Sequence, residues 1–379
     1  MNTSVILTDF NRIYENKKIP QEKIIEYIKE KILESSPTEK KEEILSKIKK
    51  YSVDKTKIKS RTLFDYEYVN ETLNRIRINE NSPELERILL SDKIILDVLN
   101  ENYSKKNYVP DELIFTSTTE TSLPSPPQVF VSEKNWKDTS VFHSQYFGCM
   151  GSFPATKIAN NSILSDKKIE KRVDILSIEI ISTYLEMTIK RLQKDQNPLD
   201  FIKATLFGDA AIIYSALGNE EFYKEKRNGL EILSKHSQII PSTIKTVKWF
   251  PSETNFELEM SKELPEIIEK NILYFTKRLC EKGNIDFEKE KKQLVYAIHP
   301  GGPKIIEKIK EQYNLDEKYF ENSQNLIYNN GNPSSTSCPI LWKEIIEDKK
   351  IKPNQKIITM GFGPGLTLEG LILKKVISD

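Results

Sequence analysis

The feature that most constrains this chain is a set of short runs that read as strands buried on both faces, set between helical patterns. Arg172–Ile180 (RVDILSIEI) is the clearest, and Ala204–Leu217 is another, interrupted at Gly208-Asp209. Gln293–Ile298 (QLVYAI) and Lys356–Met360 (KIITM) each run into a glycine-rich loop. Ser4–Asp9 (SVILTD) reads as a short buried strand, and Glu112–Ser117 (ELIFTS) as a strand entering the Pro-rich loop Ser122–Gln128. Between them, Gln21–Ile32 and Lys40–Lys50 place isoleucines and leucines at helical spacing, with Ser36-Pro37 as the break. Strands covered on both faces need helices to cover them, so the fold class is α/β.

Length and charge narrow the partners. The chain has 379 residues, enough for two fused α/β halves, divided here as 1–217 and 218–379. Gly148-Cys149 and Gly331-Asn332, each ahead of small residues that could begin a helix, hint at a duplication. The formal charge is +1, which supplies no global field for nucleic acid or an anionic membrane. No apolar run approaches the roughly 18 residues of a membrane helix. Met1–Phe10 lacks the pattern of a signal peptide. Three cysteines, Cys149, Cys280 and Cys338, cannot all pair, which points to a reducing, cytoplasmic setting.

Chemistry concentrates in a few loops. Cys149 sits between the extended segment Val141–Phe147 and a helix whose first turn Pro154 would suit. A helix start offers free N–H groups that stabilise a thiolate, so a lowered thiol pKa is expected there. Cys280 and Cys338 read as packing residues. Of the three histidines, His236 reads as a surface or turn residue and His143 as a strand residue with a satisfied hydrogen bond. His299 ends a buried strand and enters Pro300-Gly301-Gly302-Pro303, a turn that lets backbone approach while the imidazole is held. Asn332 lies in the tight turn NNGNPSSTS, where an asparagine can equally serve backbone geometry. The histidines do not cluster with cysteines or acids at metal-ligand spacing, so no metal is expected.

Together, GCMGSFPA, AIHPGGPKII, GNPSST and GFGPGLTLEG resemble, in order, the motifs of the type III polyketide synthases, the chalcone synthase-like branch of the thiolase superfamily. Weaker likeness in DKTKIKSR, ELIFTSTTETSLP and ATLFGDAA extends the resemblance over nearly the whole chain. It implies a thiolase-like fold of two similar five-layered α-β-α-β-α halves and a homodimer. It implies Cys149 as nucleophile, with His299 and Asn332 as its catalytic partners. Phe207 matches a gatekeeper between tunnel and cavity, and Leu258 falls at a second gate. Tyr184 and Ile181 stand at cavity-lining positions and Thr118 and Ser334 at further substrate contacts, while Leu123 stands where a residue reaches the partner's cavity. Lys55, Lys59 and Arg61 match the basic stretch at the tunnel mouth, which would grip coenzyme A phosphates or an acidic carrier protein.

The implied activity is acyl transfer to Cys149, then decarboxylative Claisen condensation with a malonyl thioester to give a polyketide, of alkylresorcinol or pyrone type among others. Malonyl-CoA and acyl-CoA or an acyl carrier protein would be substrates, with no resident cofactor. Met150, Phe153, Ala210, Ile181 and Tyr184 depart from the plant pattern and favour an aliphatic starter. Three other readings compete. A ketoacyl synthase of the fatty-acid initiation type would make one condensation, but HPGGP after the histidine fits the polyketide branch better. A papain-like hydrolase shares the Cys, His, Asn order, but its local cysteine signature is missing. A catalytically inactive partner subunit would be expected to lose the nucleophile.

Overall fold

A computed structural model of the chain describes residues 3–76, 83–252 and 255–378. Among these, a mixed nine-stranded sheet runs in the order Val295–Ile298, Lys356–Gly363, Thr367–Ile377, Asn228–Ile239, Val5–Ile13, Ala210–Gly218, Arg172–Glu179, Glu112–Thr116, Ser140–His143. The pairing repeats about the antiparallel seam between Val5–Ile13 and Asn228–Ile239. On one side Glu112–Thr116 is parallel to Arg172–Glu179, and two antiparallel steps lead through Ala210–Gly218 to Val5–Ile13. On the other, Val295–Ile298 is parallel to Lys356–Gly363, and two antiparallel steps lead through Thr367–Ile377 to Asn228–Ile239. Ser140–His143 adds one more parallel strand at the edge.

The expected two-sided burial is present. Ala210–Gly218 is buried throughout, and Arg172–Glu179 from Val173 onward. Two helices, Ser152–Ser165 and Ser337–Glu347, share one core with the sheet, through Ala155, Ala159 and Ile163 on the first and Ile340, Leu341 and Trp342 on the second. Phe153 and Trp342 meet edge to face with centroids 5.9 Å apart, locking the two helices together. Helices Leu264–Lys282 and Pro303–Tyr313 pack isoleucines at helical spacing against Ile358, Met360 and Ile372. Pro83–Tyr103 covers Leu113, Phe115 and Leu176. The helices read at the N-terminus form as Gln21–Glu34 and Lys41–Tyr51, and their periodic isoleucines make a separate cluster with Leu185, Ile189 and Phe201.

Two readings need correction. Ala204–Leu206 is not strand: it ends the helix Pro198–Leu206, which Asn197 starts by accepting from the Leu199 N–H at 3.0 Å. The N-cap and the buried Phe201, Ala204 and Thr205 set a helical period that the apolar run concealed. His236 is no turn residue. It lies on Asn228–Ile239 with its ring stacked on Phe275 at 5.0 Å. Among the described residues no helix is long and apolar enough to cross a membrane.

A separate hairpin, Val247–Ser252 with Asn255–Met260, sets Val247 opposite Met260 and Trp249 opposite Leu258. Alternation along each strand brings these four to one face.

Candidate active site

The turn holding Cys149 is one short helical turn, Gly148–Met150, directly ahead of Ser152–Ser165. Its counterpart across the molecular repeat is Ser334–Thr336, ahead of Ser337–Glu347 and just after Asn332. Both turns therefore sit at the starts of the two packed central helices. Gly148 takes φ +58°, and a Cβ there would meet the Pro364 ring at 3.0 Å. Gly363 lies so close that a Cβ would stand 2.7 Å from the Phe147 carbonyl oxygen and 2.6 Å from Met150 Cγ. Gly148 and Gly363 thus let the end of Lys356–Gly363 close over the cysteine turn.

His299 follows Val295–Ile298 and continues the parallel register, its N–H donating to Met360 O at 2.8 Å. Its Nδ1 lies 3.0 Å from Ser337 Oγ, and Ser337 Oγ donates to Ser334 O at 2.7 Å. One hydroxyl proton cannot serve both bonds, so Nδ1 carries the hydrogen and Nε2 is the acceptor. Burial pushes the imidazole down to about 3, which keeps it neutral. Asn332 is equally constrained. Its Oδ1 accepts from the Ser334 N–H at 2.9 Å and its Nδ2 donates to Gly301 O at 3.3 Å, so the amide cannot flip without losing both.

Cys149, His299 and Asn332, far apart in sequence, line one cavity of about 140 Å³. The Cys149 thiol, half-buried, does not follow the lowered pKa expected of a helix start. Burial pushes it up to about 12, the nearby Glu179 carboxylate adds to the rise, and hydrogen bonds from Ser334 and Asn332 only partly oppose it. A dry site outweighs one turn of helix dipole. Thiol and imidazole rest as a neutral pair rather than as thiolate and imidazolium.

The remaining cavity wall is largely apolar. Phe207, Leu258, Tyr184 and Ile181 line it, with Thr118 and Ser334 at the cysteine end. Tyr184 is fixed by its hydroxyl donating to Thr119 O at 3.2 Å and by Arg87 stacked 4.8 Å over its ring. Leu123 does not line this cavity. It is 80% exposed on a loop. The basic stretch divides. Lys55 is exposed and paired with Glu22 at 2.9 Å, Lys59 is exposed, and neither reaches the cavity. Arg61 does reach it, but as a buried side chain rather than a surface one. It donates to Gln21 Oε1 at 2.8 Å and to Phe207 O at 2.6 Å, and burial pulls it down to about 9. Its short distance in chain from Lys59 hid this difference, because strand pairing of Ser60-Arg61 with Ile19-Pro20 turns it inward.

Three contributors went unread. Glu179, at the end of a buried strand, lines the cavity and accepts from Thr118 N–H (3.1 Å), Thr118 Oγ1 (3.2 Å), Ser334 Oγ (3.2 Å) and Ser335 Oγ (2.6 Å). Burial nevertheless pushes its carboxyl up to about 7. Ser337 fixes the histidine tautomer. Trp249 walls the cavity from the hairpin, its ring 6.0 Å from that of Tyr184. An ionisable residue ending an otherwise buried run was the available signal for Glu179, and alternation along 247–252 for Trp249.

Residues 231–377 match the family described as chalcone and stilbene synthases, C-terminal domain, a span that holds His299 and Asn332. Type III polyketide synthase B of Arabidopsis thaliana is 26% identical over 272 residues, 70% of this chain and 67% of that protein. Type III polyketide synthase 21 of Oryza sativa subsp. japonica is 26% identical over 268 residues, 70% of this chain and 66% of that one. The match thus spans about two thirds of these plant relatives. The fold is that of the C-terminal type III polyketide synthase domain of Steely1 from Dictyostelium, with a TM-score of 0.79 at 17% identity, covering 99% of this chain and 100% of that one. It is also that of 1,3,6,8-tetrahydroxynaphthalene synthase from Streptomyces coelicolor A3(2), with a TM-score of 0.77 at 17% identity over 98% and 99% of the two chains.

Proposed function

Since this chain belongs to the type III polyketide synthase family, a family of decarboxylating acyltransferases, we propose that Cys149 carries its acyl intermediate and that His299 and Asn332 complete the reaction centre. The observation that supports this reading is their convergence on one cavity from three separate turns. Cys149 Sγ attacks the thioester carbonyl of the starter while its proton passes to His299 Nε2, which the tautomer leaves ready to accept it. The carrier thiolate departs and takes a proton from solvent. His299 is then protonated on both nitrogens.

That imidazolium is unfavourable in so dry a site unless a negative charge stands beside it. A malonyl thioester brings one. Loss of carbon dioxide leaves an enolate, whose oxygen receives hydrogen bonds from His299 Nε2 and Asn332 Nδ2. The enolate carbon attacks the acyl-Cys149 carbonyl, a carbon–carbon bond forms, and the expelled Cys149 thiolate recovers its proton from His299. Protons and electrons balance over the cycle. Asn332 suits the task because an amide donates without titrating.

The apolar wall formed by Tyr184, Ile181, Trp249, Leu258 and Met260 supports an aliphatic rather than a polar starter. The outer edge of Ser140–His143 pairs with no strand among the described residues, and Phe142, Leu123, Tyr146 and Phe147 beside it are exposed. Unpaired edge and exposed aromatics support a homodimer. Sedimentation equilibrium at low micromolar protein would give twice the chain mass if so. Function itself is tested by mixing purified protein with acyl thioesters of graded length and malonyl-CoA. An adduct on Cys149 by intact-protein mass, followed by chain-extended products, is expected. No adduct with any starter, or wild-type product formation by Cys149→Ala, would reject the reading.

A further inference from the structure

Helix Glu321–Asn330 delivers the asparagine turn: Asn330 is its last residue, Gly331 follows with φ +67°, and Asn332 comes next. The last carbonyls of a helix find no partner within it, so the turn beyond is only as well placed as those carbonyls are. Here most of the partners come from the other end of the chain. The Ile327 carbonyl accepts the Gly331 N–H at 2.9 Å, and the Tyr328 carbonyl accepts the Lys59 N–H at 2.6 Å. The Asn329 carbonyl accepts both the Ser60 hydroxyl and Lys18 Nζ, each at 3.0 Å. Pairing of Ile19-Pro20 with Ser60-Arg61 gathers these donors, because Lys18 immediately precedes one strand and Lys59 the other.

Lys18 does more than cap a carbonyl. Its Nζ also donates to Asn330 Oδ1, which accepts from Arg12 Nη2 at 2.5 Å, while Asn330 Nδ2 donates to Leu326 O at 2.8 Å. The Asn330 amide is therefore held at both of its ends. A Cβ on Gly331 would stand 2.6 Å from Leu206 O and 2.9 Å from Arg61 Cγ, so the turn has no room to move toward them. Lys18 and Arg12 supply the hold on the helix end itself. Two cations there also complement the negative end of the helix dipole. The charged groups facing Lys18 are Arg12 on Val5–Ile13, Glu15 just after it, and Glu344 on helix Ser337–Glu347. Burial, then Arg12, pulls Lys18 down to about 8, so its charge is present at neutral pH and lost in mild alkali.

Resting on the reading of Asn332 as a donor to the enolate, we propose that Lys18 is a positioning residue for decarboxylation: with Arg12 it closes the end of Glu321–Asn330 and so sets where the Asn332 amide stands. Lys18 itself is outside the cavity. Acyl loading, which in the proposed mechanism uses Cys149 and His299, does not pass through it.

The test compares wild type with Lys18→Met and Lys18→Arg in two half-reactions: acyl-Cys149 formation from an acyl-CoA, and carbon dioxide release from labelled malonyl-CoA. Lys18→Met removes the charge and keeps most of the apolar stem. A shift of some tenths of an ångström should lower kcat for carbon dioxide release about tenfold. KM for malonyl-CoA and the rate of loading should each change less than about threefold, and Lys18→Arg should recover most of the loss. Wild-type carbon dioxide release should also fall about threefold from pH 7 to 9, a limb that Lys18→Arg, always charged, should lack. Equal losses in loading and in decarboxylation, as a merely structural role would give, overturn the proposal, and so does an unchanged kcat in Lys18→Met. The side-chain amide resonance of Asn332, assigned by its loss in Asn332→Asp, reads the same placement without turnover. It should move in Lys18→Met and return in Lys18→Arg; an unmoved resonance overturns the proposal. If Lys18→Met does not fold, Lys18→Gln and the wild-type pH series on that resonance decide. Wild type that takes no acyl group on Cys149 would reject the catalytic reading, while the Asn332 resonance still decides whether Lys18 places the amide.

Discussion

Replacing Gly208 by alanine should damage decarboxylation more than it damages acyl loading. Gly208 lies where the end of helix Pro198–Leu206 crosses the asparagine turn. Its N–H donates to Asn332 O at 3.1 Å, and the Asn332 N–H donates to Leu206 O at 2.8 Å. These two bonds tie Phe207, which lines the cavity, to Asn332. A Cβ on Gly208 would stand 2.3 Å from the Asn330 carbonyl oxygen, where real contacts essentially never fall below 3.0 Å. The obstructing atom is backbone, so the Asn330–Asn332 segment must recede by about 0.7 Å or more. Misplacement on the order of 1 Å costs about 10²-fold in a positioned reaction, so a loss of some tens of fold is expected. Overpacking of this kind also destabilises by about 1–3 kcal/mol. Carbon dioxide release from labelled malonyl-CoA should fall by that factor. The rate of acyl-Cys149 formation, which in the proposed mechanism uses the thiol and His299 Nε2, should change less than fivefold. Gly208→Ala with wild-type carbon dioxide release and an unchanged melting temperature would refute the coupling of Gly208 to Asn332.

Other outcomes follow from the same geometry. Glu179→Gln removes a charge that raises the Cys149 thiol pKa, so alkylation of Cys149 by iodoacetamide at pH 8 should accelerate severalfold; an unchanged rate would disprove the electrostatic link. The same variant should flatten part of the pH dependence of stability. The folded Glu179 carboxyl, at about 7, exceeds its ordinary 4.5, so its contribution is full below 4.5 and is lost as pH rises through 7. Melting temperature should thus fall across that window more steeply in wild type than in Glu179→Gln. Ser337→Ala frees His299 Nδ1 and the tautomer with it, and acyl loading should slow about tenfold while the fold persists; full activity would show that another group orients the ring. Charge reversal at Lys55, which pairs with Glu22 outside the cavity, should move KM for malonyl-CoA less than twofold.

Much of this was legible in the residues because it is local. Periodic isoleucines in Gln21–Glu34 and Lys41–Tyr51, and the runs that became Arg172–Glu179 and Lys356–Gly363, announce their elements through backbone propensity and spacing. The loops of Cys149, His299 and Asn332 stood out through glycine, proline and small residues at turns. Where tertiary packing competes with local signal, the reading failed. Ala204–Leu206 looked like strand because its apolar run hid a helix whose N-cap lies seven residues upstream of Ala204. His236 looked polar by its neighbours, yet strand pairing laid its ring on Phe275.

The order of residues, by itself, determined the α/β class and marked out the Cys149 turn and the two turns that accompany it, since each depends on neighbours within a few positions. Only the folded arrangement decided the protonation states and the walls of the cavity. Burial raises Cys149 and lowers His299, and burial is a sum over segments hundreds of residues apart. Likewise one register of Ser60-Arg61 against Ile19-Pro20 sent Arg61 inward while Lys59 stayed in solvent. Side-chain type announces what chemistry a residue is able to do. Dielectric and distance, which exist only after the chain has closed on itself, decide which of it is done.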